Sequence, residues 1–137
     1  MYRAAVYLHI LSAAVWVGGN LLFFAVAPAL RRQPPHGSAA LRLLGRRFRV
    51  LSWAAVAALL VTGAYLLWWG WDPRHGTLAW KLTFVGVAVV LKAAHDFWIA
   101  PRAASASGAY VPLALWVGRT NLVVLLAIVY LSTGLVR

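Results

Sequence analysis

The chain has 137 residues, of which 64% are hydrophobic and 11% are charged, and this is too apolar for a soluble domain of its length. The net charge of +11 does not indicate nucleic-acid binding, because the arginines lie between apolar blocks, where they would face anionic lipid. The absence of Cys, and of any Met after position 1, excludes disulfides, Cys-ligated iron–sulfur clusters and a sulfur-based Cu(I) relay.

The first apolar block, between Ala4 and Leu30, includes a sequence, AVAP, that resembles a signal-cleavage site. The block is longer than the apolar core of about 7–15 residues in a secretory signal, so we expect a retained transmembrane helix. Four such blocks lie at about 4–29, 49–70, 78–100 and 112–136. Each is long enough to cross a hydrocarbon core of about 30 Å. Because short connectors make neighbouring helices antiparallel, the sequence predicts an all-α integral membrane four-helix bundle, one domain spanning residues 1–137.

Basic residues indicate how the helices are oriented. They concentrate in and just after the first and third connectors, at Arg31, Arg32, Arg42, Arg46, Arg47, Arg49, Arg102 and Arg119. By the positive-inside rule, these connectors face the cytoplasm and both termini lie outside a bacterial cytoplasmic membrane. The expected partners are the lipid bilayer and either a redox protein or a second copy of the chain.

The two halves of the chain resemble each other. Three pairs recur in order at nearly constant spacing: Pro28 with Pro101, Arg49 with Arg119, and Thr62 with Thr133. We therefore predict that residues 1–70 and 72–137 form two tandem helical hairpins, related by an axis along the membrane normal.

Two ionisable residues take equivalent positions in this repeat. His9 precedes Pro28 by nearly the same number of residues as Lys81 precedes Pro101, so both should lie at one depth, near the outer surface. Intramembrane Lys or Asp costs about 2.5–3.5 kcal/mol at a helix centre, which makes such residues functional candidates. The alternatives are a Lys81 that extends to the interface and a His9 that is hydrogen-bonded in the core.

One face of helix one continues from His9 as a polar and aromatic stripe. Its members recur at helical spacing and are Ser12, Trp16, Asn20 and Phe23. Gly18 and Gly19 allow either close helix packing or room for a flat ligand. An aromatic stripe is more often packing than a cofactor wall, but the nearby His favours a planar ligand.

Helix three carries a second polar group, Lys92, His95 and Asp96. Asp96 can pair with Lys92 one turn earlier or with Arg119 early in helix four, which would offset part of the desolvation cost. We predict that this polar cluster faces the bundle interior. It is either a structural ion-pair network or a site for protons or anions.

Several short motifs resemble the copper-resistance protein D (CopD) family of small bacterial membrane proteins. They are LHILSAAVWVGG, GRRFR, WKL, HDFWIAPR and Asn121. We group Asn121, together with Arg119, with the polar cluster of helix three. The resemblance covers nearly the whole chain and implies copper handling in the envelope. The pattern is also similar to HemJ-type protoporphyrinogen oxidase, a four-helix haem b protein, in which His9 and Lys81 match a His and a Lys important for haem and activity. The chain departs from that oxidase at the end of helix one, which reads APALRR.

Three functions follow. In a b-type haem protein with a redox or haem-handling role, His9 and an uncharged Lys81 would ligate the iron. The other cofactor residues would be Trp16, Gly18, Gly19 and Asn20 along the slot, with Arg74, or Lys81 where it is not a ligand, at the propionates. In a copper-binding protein or copper transporter, His9, His75 and Asp72 would supply ligands suited to Cu(II). The third function is a structural subunit of a membrane complex.

Overall fold

The computed structural model describes residues 1–33, 37–70, 76–104 and 109–133, and these segments contain helices and turns but no strand. The helices are α1 (Tyr2–Arg31), α2 (Gly37–Gly70), α3 (Gly76–Ala94), α4 (Ala100–Ala103) and α5 (Val111–Thr133). A π-helical segment, His95–Ile99, joins α3 directly to α4. The predicted all-α fold class is confirmed.

Within the described residues, four helical stretches are long and apolar enough to cross a membrane. They are Tyr2–Arg31, Ala39–Trp69, Leu78–Ala103 and Val111–Thr133. Many of their large apolar side chains are exposed, Leu22, Val61 and Trp116 among them, as expected where lipid rather than water is the solvent. The chain is therefore a multi-pass membrane protein.

The chain divides into two compact units, Met1–Trp71 and Asp72–Arg137. In the first unit α1 packs against α2, and in the second α3 and the π segment pack against α5. Each unit is a helical hairpin, and the division falls where the predicted repeat places it. That the hairpins superpose about a common axis stays a prediction.

The beginning of α2 differs from the prediction. The helix starts at Gly37 rather than near residue 49, so most of the basic first connector is helical. Hydropathy located only the apolar part of the helix. The residues before it, such as Ala39, Leu41 and Arg42, are strong helix formers that extend a helix beyond the hydrocarbon region without being apolar throughout.

The two prolines of the repeat, Pro28 and Pro101, both lie close to the end of a membrane-spanning stretch. Pro28 lies inside α1, which continues to Arg31. Pro28 has no N–H, so it cannot form the main-chain hydrogen bond that would join it to the carbonyl four residues earlier. Pro101 follows the π segment in the continuous helical stretch Leu78–Ala103, two residues before that stretch ends.

Candidate functional site

The first candidate site surrounds His9, which lies between the two helices of the first hairpin. The His9 Nδ1 atom is 2.9 Å from the Thr62 hydroxyl oxygen. That hydroxyl lies 2.6 Å from the Ala58 carbonyl, to which it donates its only proton. The arrangement that satisfies both contacts has the hydroxyl accepting from His9, with the ring proton on Nδ1 and the lone pair on Nε2.

Gly63 also belongs to the His9 site, because it lies directly against the imidazole. A Cβ atom at this position would come within 3.3 Å of His9 Cε1, closer than ordinary van der Waals contact. Thr62 and Gly63 thus orient and accommodate one ring together. Sequence reasoning used Thr62 only as a marker of the repeat and did not assign it to a site. The recurrence of the Thr-Gly pair at Thr133 and Gly134 was the signal that could have identified it.

The polar and aromatic stripe of α1 continues from the His9 site with Ser12 and Trp16, which are both buried. The indole Nε1 of Trp16 has no hydrogen-bond partner, although Trp16 is only 4% exposed. Leaving such a buried donor unpaired costs about 1–3 kcal/mol. Asn20 donates from Nδ2 to the Trp16 carbonyl at 2.7 Å, so its amide is engaged with its own helix.

The two predicted slot glycines have different surroundings. A Cβ atom added at Gly18 would meet no atom within 4 Å, since Gly18 is exposed on the side of α1 opposite His9, and its place in a cofactor slot stays a prediction. A Cβ on Gly19 would overlap the ring of Phe48 from α2. That ring also stacks on Phe23, with centroids 6.0 Å apart. Of the two alternatives for Gly19, the structure shows close helix packing in the first hairpin.

The remaining predicted ligands lie in the second unit. Lys81 is half-buried on α3, and its partnership with His9 stays a prediction. The alternative copper residues His75 and Asp72 lie outside the described residues, as does Arg74. Across the described part of the chain, no group of three His, Asp or Glu side chains is placed to hold a metal ion together.

The polar cluster is the second candidate site, and its predicted pairing is confirmed. Lys92 Nζ donates to Asp96 Oδ2 at 2.6 Å, and His95 Nδ1 donates to Asp96 Oδ1 at 3.0 Å. Lys92 is 5% exposed and Asp96 is 9% exposed. The His95 side chain is 32% exposed. The carboxylate therefore bridges a buried ammonium group and an imidazole that reaches the surface of the chain.

The backbone beneath this cluster is irregular. From His95 the helix widens to the π form, and the Ala100 N–H donates to the His95 carbonyl. A π turn holds one more residue than an α turn and often occurs at functional sites. It ends at Ile99, two residues before Pro101, which has no N–H to continue an α-helical ladder. Hydropathy and helical periodicity carried no signal for this widening.

Two predicted cluster residues lie on α5. Arg119 is exposed. Asn121 is 5% exposed, and its Oδ1 atom has no hydrogen-bond partner. Each half of the chain thus contains a buried polar atom without a partner: Trp16 Nε1 in the first and Asn121 Oδ1 in the second.

These features define a class, a multi-pass membrane protein of two helical hairpins with ionisable side chains inside the membrane-spanning helices. Residues 11–110 match the family described as "Domain of unknown function (DUF4149)", and the chain belongs to that family. The matched region includes Thr62, Lys81, Lys92, His95 and Asp96, and it begins just after His9. A relative from Aquifex aeolicus (strain VF5), named "Uncharacterized protein", is 35% identical over 137 residues, covering 96% of this chain and 93% of the relative. No solved structure matches the chain.

Proposed function

We propose that the protein binds haem b in the membrane, with His9 as an axial ligand, and that it has a redox or haem-handling role. The observation that carries the proposal is the hydrogen bond from His9 Nδ1 to Thr62. Metal-ligating histidines almost always donate their other ring N–H to a fixed acceptor, which sets the tautomer and the ring orientation. The Thr62 hydroxyl supplies that acceptor, because its own proton is committed to Ala58.

The donor set fits haem better than a bare metal ion. A porphyrin supplies four nitrogen ligands itself, so the protein needs to add only one or two axial side chains. The described residues offer single imidazoles rather than a converging ligand group. When bound, haem iron supplies one-electron chemistry.

Other residues of the chain would complete such a site. The unpaired indole N–H of Trp16 supplies a buried donor on the same helix face as His9. Lys81 would act as the second axial ligand or as a cation for a propionate, with Arg74 as the other propionate partner. Gly19 has no part in the slot, because Phe48 fills the space beside it.

We also propose that the protein lies in the bacterial cytoplasmic membrane with both termini outside the cytoplasm. The arginine-rich first and third connectors would face the cytoplasm of a bacterial cell, with both termini outside the cytoplasmic membrane. His9 would then lie in the outer half of the membrane, accessible to a redox partner on that side.

The direct test uses the absorption spectrum of the detergent-purified protein and of matched variants. We expect a Soret band that is lost in His9→Ala. We expect Thr62→Val to lower haem retention or shift the band, because Nδ1 loses its acceptor. The control is Thr83→Val, since the Thr83 hydroxyl bonds only to the Ala79 carbonyl of its own helix, at 3.0 Å. A Thr62→Val spectrum identical to that of Thr83→Val would contradict the assigned role of Thr62.

Two other results would contradict haem binding and favour a different function. A colourless protein that binds copper, and loses it in His75→Ala, would support the copper site that the resemblance to the copper-resistance family implies. A protein that binds neither haem nor copper would leave a structural subunit as the better description.

A further inference from the structure

A cleft in the second hairpin lies at the opposite end of α3 from Lys81, where one membrane-spanning stretch ends and the next begins. Its volume is about 400 Å³, and its lining residues are Trp98, Ile99, Arg102, Tyr110 and Leu113. The spanning stretches flanking it are Leu78–Ala103 and Val111–Thr133. The cleft is therefore at the level of an interface between hydrocarbon and water.

Arg102 provides the charge of this cleft, and its side chain is held in place. One guanidinium N–H donates to the Trp98 carbonyl at 2.8 Å. The guanidinium carbon lies 5.4 Å from the centroid of the Trp98 ring, within the range of a cation–π contact. These two contacts fix the position of a planar, multidentate donor, which is the group best suited to binding phosphate oxygens.

The other lining residues divide by chemistry. Trp98 and Tyr110 have amphipathic rings that favour the headgroup level of a membrane. Ile99 and Leu113 present hydrocarbon that suits an acyl chain. Asp96, the acidic residue within the described part of the chain, is not among the lining residues. The described lining therefore combines one cation, two interfacial rings and an apolar wall.

We propose that this cleft is a binding site for an anionic phospholipid. Arg102 takes the phosphate, Trp98 and Tyr110 flank the headgroup, and Ile99 and Leu113 contact the start of an acyl chain. The site is in the second hairpin and does not depend on haem binding at His9. Basic pockets at the ends of transmembrane helices recognise anionic headgroups through this combination of charge and apolar contact.

The experiment is a lipid titration of the delipidated, detergent-purified full chain, followed by native mass spectrometry. Phosphatidylglycerol and phosphatidylcholine with the same acyl chains are compared. We expect phosphatidylglycerol to bind more tightly, and Arg102→Gln to reduce that preference about fivefold, as expected for one basic residue at an anionic headgroup. The matched control is Arg32→Gln, which removes the same charge from an exposed position outside the cleft.

Three outcomes would overturn the proposal. The first is equal binding of the two lipids, and the second is an equal loss of preference in Arg102→Gln and Arg32→Gln. The third is full displacement of phosphatidylglycerol by millimolar inorganic phosphate, which would assign the site to the free anion. Arg102→Lys keeps the charge but loses the planar fork, so we expect it to retain only part of the preference.

Discussion

Replacement of Asp96 by Ala should strongly destabilise the protein. The change removes the carboxylate that accepts from Lys92 Nζ at 2.6 Å and from His95 Nδ1 at 3.0 Å. Lys92 is only 5% exposed, so its ammonium group would stay buried after losing this partner. Removal of one member of a buried ion pair costs about 3–5 kcal/mol. The cost of inserting a Lys at the centre of a membrane helix, about 2.5–3.5 kcal/mol, is of similar size.

The measurement is reversible unfolding in mixed micelles, followed by far-ultraviolet circular dichroism as a denaturing detergent is added. A loss of about 3–5 kcal/mol is a large part of the roughly 5–15 kcal/mol that stabilises a typical domain. The matched control is Ser132→Ala, since the Ser132 hydroxyl bonds only within its own helix, to the Ile128 carbonyl at 2.7 Å. We expect this control to lose about 1 kcal/mol or less.

A double variant separates charge from packing. Lys92→Met combined with Asp96→Leu replaces the buried pair by apolar side chains of similar size, and such replacements are often neutral or stabilising. We expect its stability to be close to that of the parent. The explanation is refuted if Asp96→Ala is as stable as Ser132→Ala, or if the double variant is destabilised as much as the single one.

Three further predictions concern packing and orientation. Gly19→Ala should cost about 1–3 kcal/mol of unfolding free energy, because its Cβ would overlap Phe48. Gly18→Ala should be neutral or slightly stabilising, because no atom lies beside it. Equal stabilities of the two variants in thermal unfolding would disprove this difference. Gly63→Ala should lower haem retention by pressing on His9 Cε1, and an unchanged Soret band would exclude that contact as a constraint. A reporter fused to the C-terminus should be active only outside the cytoplasm, and cytoplasmic activity would reverse the proposed topology.

Much of the fold was predictable, because apolar length alone determines which segments cross a membrane. The division into two hairpins near residue 71 also followed from the sequence repeat. The early beginning of α2 at Gly37 did not, since hydropathy registers the hydrocarbon-spanning part of a helix and not its polar extension. The π segment from His95 to Ile99 could not be found by searching for a period of 3.6 residues, because it departs from that period.

The two candidate sites differ in how far sequence could define them. The pairing of Lys92 with Asp96 depends on their spacing within one helix, and it was one of the two pairings predicted for Asp96. The contact between His9 and Thr62 joins two helices, so it depends on the register of the hairpin. The same dependence explains why Gly19 looked like open space: its neighbour Phe48 comes from the other helix.

The most direct test of haem binding at His9 is the reduced-minus-oxidised difference spectrum of the purified protein beside that of His9→Ala. The parent should show the bands of a b-type haem, and pyridine extraction should release non-covalently bound haem b. His9→Ala should show neither signal while remaining folded by circular dichroism. A parent protein that stays colourless after reconstitution with haemin, or a folded His9→Ala that retains the parent spectrum, would contradict the proposal.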